Sequence, residues 1–399
     1  MAMFPKDRGE DLAEVPGSPA VVGERIPLVR PYFSDVDESA REYRRILESG
    51  MLTNFGERTR RLETLIARRL QVAHAVAVAN ATTGLGLLIE ALELKDDAEI
   101  VMPSFTFAAT FMAVARTRER FVPVFADVDP QTFVLDPASV QACITPRTAA
   151  IVGVHVFGVR CEHNPLAEIA DRHGLRLIYD AAHALGSLDQ DRPVGGQGDA
   201  QVFSLSATKL LPCGEGGIVA TNDHGIYRGL LDRRNYGFSS DRGRDCFNLG
   251  WNGKLQEASA ALGVQELATL AERVARRNRI ASRYRAGLEE VAGISFQQVP
   301  ADAVSSYKDF AILIDSSLAG ITRADLQRAL SQAGIDSEPY FSPAVHQLTV
   351  VARRFPGSVR VPLPQTERLA RTALSLPMHE HLSDAHVDTV IAAIQRACR

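Results

Sequence analysis

Lys209 is the side chain on which a reaction is most easily built in this sequence. It stands in VFSLSATKLLPCGEGGIVAT, just beyond a strongly apolar stretch and before a Gly-rich turn. A lysine amine condenses with aldehydes, and apolar surroundings lower its pKa and free the amine for that purpose. A lone lysine is equally at home on a solvated surface, so its companions decide the reading. Ser204 ends the same apolar stretch and can offer a hydroxyl to a phosphate. The segment VANATTGLGLLIEAL passes from an apolar strand through Asn80, Ala81, Thr82 and Thr83 into an apolar helix. Free N–H groups at such a helix start form either an anion site or an ordinary N-cap. Asp180, in LIYDAAHALG, closes another strand. It could cap or pair locally, or it could keep the nitrogen of a pyridine ring protonated. His183 could orient Asp180 or hydrogen-bond a ring substituent, and Phe105 and Phe107 in MPSFTFAAT offer either a flat face to a ring or core packing.

Other chemistries lack their motifs. No GxGxxG follows an early strand and no GxxxxGK[ST] occurs, which disfavours nicotinamide-binding and nucleoside-triphosphatase readings. His155, His346 and His379 have no HExxH spacing or cysteine cluster, so no metal site is expected. Cys213 lies near Lys209 but has no activating base in view. The five cysteines are scattered without a CxxC pair, as in a reduced cytoplasmic protein. Lys and Arg total 44 against 48 for Asp and Glu, a net charge of -4 that argues against a nucleic-acid or anionic-membrane surface. The apolar runs are too short for a membrane span.

The elements that must hold these groups follow from periodicity. Residues 1–25 are polar and rich in Pro and Gly, and read as a flexible tail rather than a signal peptide. A helix is expected over 35–48 and another over 56–70, where Leu62, Leu65, Ile66 and Leu70 share a face. Then apolar runs at 73–79, 99–103, 120–126, 149–157, 175–180, 199–206 and 216–221 alternate with amphipathic segments. Unbroken apolar runs suit strands covered on both faces, hence an α/β/α sandwich with a mostly parallel central sheet. Between two such runs, Asn164 is expected to cap a helix that begins at Pro165 and stops at Gly174. A helical stretch from Asn252 to Leu288, broken near 267–270, leads to a second, smaller α/β domain. That domain closes with a helix after Ser383, whose stripe is Val387, Ile391, Ile394 and Cys398. The expected division is 26–265 and 266–399.

Taken together in this order, LTNFG, ANATTGL, PSFTFAAT, ITPRTAAIVGVHVFG, YDAAHALG, FSLSATK, GEGG and WNGKLQEASAALG resemble the DegT/DnrJ/EryC1/StrS sugar aminotransferases of fold type I. The resemblance covers nearly the whole chain beyond the tail and implies pyridoxal 5'-phosphate as cofactor. It implies Lys209 as the Schiff-base lysine and Asp180 as partner of the pyridine nitrogen. Phe107 matches the aromatic stacked on the ring, and His183 a Gln-or-His position on its other side. Ala81, Thr82 and Ser204 match the phosphate site, while Asn252 matches an asparagine reaching the phosphate of a neighbouring subunit. A homodimer with shared active sites is therefore implied. Asn80-Ala81-Thr82 departs from the usual Ser-Gly-Thr, Leu205 from a common aromatic and Leu255 from a frequent methionine, none of them a catalytic group.

The implied reaction moves an amino group from L-glutamate to a nucleotide-linked keto sugar, as in amino-sugar supply for secondary metabolites or surface glycans. The phosphate loop, DAAHA and NGK…EASAALG are most similar to enzymes acting at C4 of dTDP-4-keto-6-deoxy-D-glucose. A C3 keto sugar, a keto-cyclitol of the scyllo-inosose type, a sugar dehydratase and a non-catalytic regulator are the alternatives. Dehydratase relatives carry histidine where this chain has Lys209. Thr53, Phe55, Arg234, Lys254, Tyr340 and His346 are candidates to touch the sugar nucleotide, or else pack and solvate.

Overall fold

A computed structural model describes residues 25–117, 121–239 and 245–398. The expected tail over 1–25 lies outside them except for Arg25. All seven apolar runs form strands of one sheet: His74–Val78 (β1), Glu99–Pro103 (β2), Val122–Ala126 (β3), Thr148–Val154 (β4), Arg176–Asp180 (β5), Ala200–Ser204 (β6) and Gly217–Thr221 (β7). Their order is β1-β7-β6-β5-β4-β2-β3. β7 runs antiparallel to both of its neighbours, and the remaining pairs are parallel.

The strands are buried on both faces because helices cover both, which explains why they read as continuous apolar runs. On one face Val76, Met102, Val202 and Val219 pack under helices Ala81–Ala91 and Ala108–Thr117. On the other, Ala75, Ala77, Phe203 and Ile218 meet Leu62, Ile66 and Leu70 of helix Glu57–Leu70. The period of two along each strand sends alternate side chains to opposite layers. Helix Val36–Ser49 precedes this unit, starting one residue after the expected point with Asp35 as its N-cap.

Two boundaries differ from expectation. The helix before β5 spans His163–His173 with Glu162 at the cap position, so Asn164 is helical and caps nothing. Proline is tolerated anywhere in a first turn, where the N–H groups have no intrahelical partner, so Pro165 does not mark the start uniquely. The long helical stretch begins at Glu257, not Asn252, and divides into Glu257–Leu267 and Leu270–Leu288. Residues before it are held in extended pairing: Asn252 bridges Asn235, and Gly253 donates to the Arg234 carbonyl at 2.9 Å.

The second unit is a three-stranded antiparallel sheet, Ile294–Phe296, Phe310–Ile314 and Ala373–Leu376, with Phe310–Ile314 in the centre. Its core gathers Tyr284, Leu288, Ile312, Leu326, Leu374, Val387, Ile391 and Ile394. Ile26 joins that core, so the first described residues pack against the C-terminal unit. The closing helix, Asp384–Ala397, begins directly after Ser383 as expected, and Ser383 is its N-cap. Among the described residues no helix is long and apolar enough to cross a membrane, and no group of three His, Cys, Asp or Glu could hold a metal.

Candidate active site

Parallel strands deliver their carboxyl ends to one edge of a sheet, and connecting loops build a crevice there. Val78, Pro103, Val154, Asp180 and Ser204 all end at that edge, where antiparallel β7 begins at Gly217. A cavity of about 740 Å³ opens beyond it. Lys209, Asp180, Ser204, Ala81, Thr82, Phe107 and His183 all line it, and so does Tyr340 from the second unit.

Asp180 is 5% exposed. Its Oδ2 accepts from Thr110 Oγ1 at 2.7 Å and its Oδ1 from the Ala182 N–H at 3.0 Å. Both donors are neutral, and burial pushes the carboxyl above the usual aspartate range even though these hydrogen bonds and Lys209 pull it down. A buried carboxylate held by neutral donors alone is a ready acceptor for a cationic N–H. Burial, then the Lys308 cation, brings the Lys209 amine down to about 8 against the pull of Asp309, Asp180 and Glu215. Burial first, and then the Lys209 and Lys308 cations, hold His183 well below the usual histidine range, so its ring is neutral. Its Nδ1 accepts from the Phe157 N–H at 3.2 Å, which puts the ring proton on Nε2.

Asn80 caps helix Ala81–Ala91 through its side-chain oxygen, which accepts from the Thr83 N–H at 2.8 Å. The cap reading and the anion reading are thus compatible. Asn80 satisfies one donor, and the first N–H groups of the helix have no partner within it. Gly217 permits the close approach of β7 to this turn: a Cβ there would lie 2.7 Å from the Ala81 nitrogen and from the Asn80 carbonyl carbon. The two phenylalanines part company. Phe105 is fully buried among Phe133, Phe157 and Phe341, whereas Phe107 is 60% exposed on the cavity wall.

Several expected ligand contacts are not brought to this cavity. Arg234 is a correction: it is buried, pairs with Glu63, donates to the Ala77 carbonyl at 2.8 Å and lies 4.3 Å over the Phe55 ring. Its charge is consumed in joining strand β1 to the helix below it. Phe55 is the other half of that stack, and Thr53, two residues earlier, also lies off the cavity wall. His346 is tied by its ring Nδ1 to Ser104 Oγ at 2.7 Å and does not line the cavity. Asn252 and Lys254 bond each other at 2.6 Å outside it, and Lys254 sits 4.3 Å over the Tyr236 ring.

The cavity also contains residues that were not anticipated: Trp251, Lys308, Asp309 and Phe341. Lys308 and Asp309 carried a usable signal, because two charged residues directly precede the fully buried strand Phe310–Ile314. Charges next to such a strand need a partner or a task.

The chain belongs to the DegT/DnrJ/EryC1/StrS aminotransferase family, matching it over residues 34–395. It is 31% identical over 371 residues to the spore coat polysaccharide biosynthesis protein SpsC of Bacillus subtilis (strain 168), across 90% of this chain and 94% of that one. Its fold is similar to that of DesI, solved in the presence of its TDP-sugar product, with a TM-score of 0.88 and 38% identity over 95% and 94% of the two chains. The aminotransferase TlmJ from Streptoalloteichus hindustanus aligns with a TM-score of 0.85 and 30% identity over 93% and 98%. The protein is a pyridoxal-phosphate-dependent aminotransferase with the fold type I architecture of this family. The residues present fit that cofactor: an amine for its aldehyde, a buried carboxylate for its ring nitrogen and a helix start for its phosphate.

Proposed function

We propose that this aminotransferase transfers the amino group of L-glutamate to C4 of a nucleotide-linked keto sugar of the dTDP-4-keto-6-deoxy-D-glucose type. The observation that carries the reading is the convergence of Lys209, Asp180 and the start of helix Ala81–Ala91 on one cavity. The sugar-nucleotide assignment is supported by the 38% identity to DesI, whose structure was determined with a TDP-sugar product.

Pyridoxal phosphate, when bound, supplies an aldehyde that accepts the amino group and a ring that absorbs the electron pair left by a departing proton. Lys209 is the group to move that proton. With its pKa near 8, the amine is partly free at neutral pH, and it is held in the cavity where the reacting carbon would sit. It takes a proton from the donor carbon and, in the reverse sense, delivers one to the sugar carbon. Asp180 would hold the ring N–H through its charge, with Thr110 and Ala182 fixing the orientation of the carboxylate. Ala81, Thr82 and Ser204 would hold the phosphate, and Phe107 would offer its ring as a stacking face. His183, neutral, presents Nε2–H as a donor to a ring substituent.

A homodimer with shared sites completes the reading. Asn252 lies outside the cavity of its own chain on an exposed segment, beside Leu249 at 91% and Trp251 at 37% exposure. Apolar surface of that kind is suited to a partner subunit, to whose site Asn252 and Lys254 would be delivered.

The experiment is to incubate the purified enzyme and glutamate with a panel of nucleotide keto sugars and assign the products by NMR. A 4-amino sugar is expected; a 3-amino sugar, an aminocyclitol or a dehydrated sugar as the preferred product would overturn the C4 assignment. Lys209→Ala should abolish turnover, and retained turnover without an added amine would refute its role.

A further inference from the structure

Lys308 and Asp309 sit on the cavity wall opposite in origin to the sheet residues, since they come from the second unit. Both are buried, at 5% and 3% exposure, and Lys308 Nζ donates to Asp309 Oδ1 at 2.9 Å. The other oxygen, Asp309 Oδ2, is buried and has no hydrogen-bond partner. Such an atom is costly to leave unsatisfied in a folded protein. The pair is also rigidly mounted. Arg277, buried in helix Leu270–Leu288, donates to the carbonyls of Tyr307 and Lys308 at 3.0 and 3.1 Å and pairs with Glu380 at 2.8 Å. The Lys308 N–H donates to the Phe157 carbonyl at 3.1 Å, and its ammonium lies 5.5 Å from the Tyr340 ring centroid.

We propose that Lys308 and Asp309 form a specificity subsite for a sugar hydroxyl adjacent to the reacting carbonyl, with the hydroxyl donating to Asp309 Oδ2. The inference rests on the keto-sugar reading of the cavity and adds to it the group that selects among keto sugars. The chemistry follows from the pair itself. An ionised carboxylate oxygen already neutralised by Lys308 does not call for a second cation, but it still needs a donor. A hydroxyl supplies one without adding charge. Lys308 retains ammonium protons beyond the one given to Asp309 and donates to an oxygen of the same ring. Neither side chain touches the atoms that react, so the pair positions the sugar and performs no proton transfer.

The test is a cycle of two enzymes and two substrates. Wild type and Asp309→Asn are assayed with the nucleotide-linked 4-keto sugar and with its analogue deoxygenated at the neighbouring carbon. The substitution keeps an acceptor for Lys308 but can place a donor where the sugar hydroxyl also donates. On the hydroxylated sugar, kcat/KM is expected to fall by about 10- to 100-fold, as for a lost hydrogen bond to a charged group, with KM rising. On the deoxy analogue the loss should be smaller by about tenfold or more, because the hydroxyl contact is absent there while any effect of Asp309 on the Lys209 amine is common to both sugars. Equal losses on both sugars, or no loss on either, would overturn the subsite while leaving the keto-sugar reading intact. If wild type aminates neither sugar, the substrate-class reading falls and the subsite falls with it. Because a lone substitution leaves the Lys308 charge without its partner, Lys308→Gln combined with Asp309→Asn is assayed in parallel, and the same loss of discrimination is expected.

Discussion

The amine of Lys209 should titrate as a neutral-pH nucleophile rather than as an ordinary lysine, and this can be measured directly. With its pKa at about 8, about 9% of the amine is free at pH 7, against about 0.03% for a lysine at 10.5. That is a roughly 300-fold gain in reactive amine at the same pH. The sign is set by burial, which disfavours the ammonium, and by the Lys308 cation, which repels it. The free base is the reactive form, so the rate should climb about tenfold per pH unit below the pKa and level off above it. The assay uses enzyme stripped of cofactor and mixed rapidly with excess pyridoxal phosphate, following the band at roughly 410–430 nm from pH 6 to 10. An inflection near pH 8 is expected. Lys308→Met removes a cation that depresses the amine while leaving Asp309 in place, so the inflection should move to higher pH. A rate still climbing tenfold per unit at pH 10, or a downward shift in the variant, would refute the electrostatic account of the cavity.

Asp180→Asn should lower kcat by about 10²- to 10³-fold while the cofactor still binds, because a preorganised charge is lost and shape is kept; steady-state kinetics and the visible spectrum check both halves. Gly217→Ala should weaken cofactor affinity and destabilise the fold by about 1–3 kcal/mol, read by titration and thermal unfolding, since the added Cβ meets backbone at 2.7 Å. Glu99 is a fully buried carboxyl that burial alone would push up, yet hydrogen bonds from Arg360 and Thr145 and the charges of Arg360 and Arg147 hold it at about 2. Its folded-state pKa is depressed, so its contribution is present above the ordinary value of 4.5 and is lost as pH falls toward about 2. Glu99→Gln should therefore be less stable than wild type at pH 6 and should flatten the acid limb of a denaturant-melt series between those two pH values.

The groups that the proposed function assigns to the chemistry could be read from the sequence, as residues that would share one cavity, for a local reason. Lys209, Asp180, Ser204 and the Asn80–Thr83 turn each stand at or just beyond an apolar strand run. In a mostly parallel sheet every such strand end faces the same crevice, so order along the chain becomes convergence in space. Helix Glu57–Leu70 and the Ser383-capped final helix were legible for a similar reason, because periodicity and caps are properties of neighbouring residues. What only the tertiary structure decided involves partners distant along the chain. Phe105 and Phe107 are two residues apart, yet one is core and the other wall, according to which side of the chain meets Phe133, Phe157 and Phe341. Arg234 read as an available cation until Glu63 and the Ala77 carbonyl, more than 150 positions earlier, consumed it. Lys308 and Asp309 lie about 100 residues beyond Lys209, and only the docking of the second unit carries them to the same cavity. A side chain's chemical capacity is written in its type and its place on an element, but whether that capacity is spent on the fold or left for a ligand depends on what packs against it.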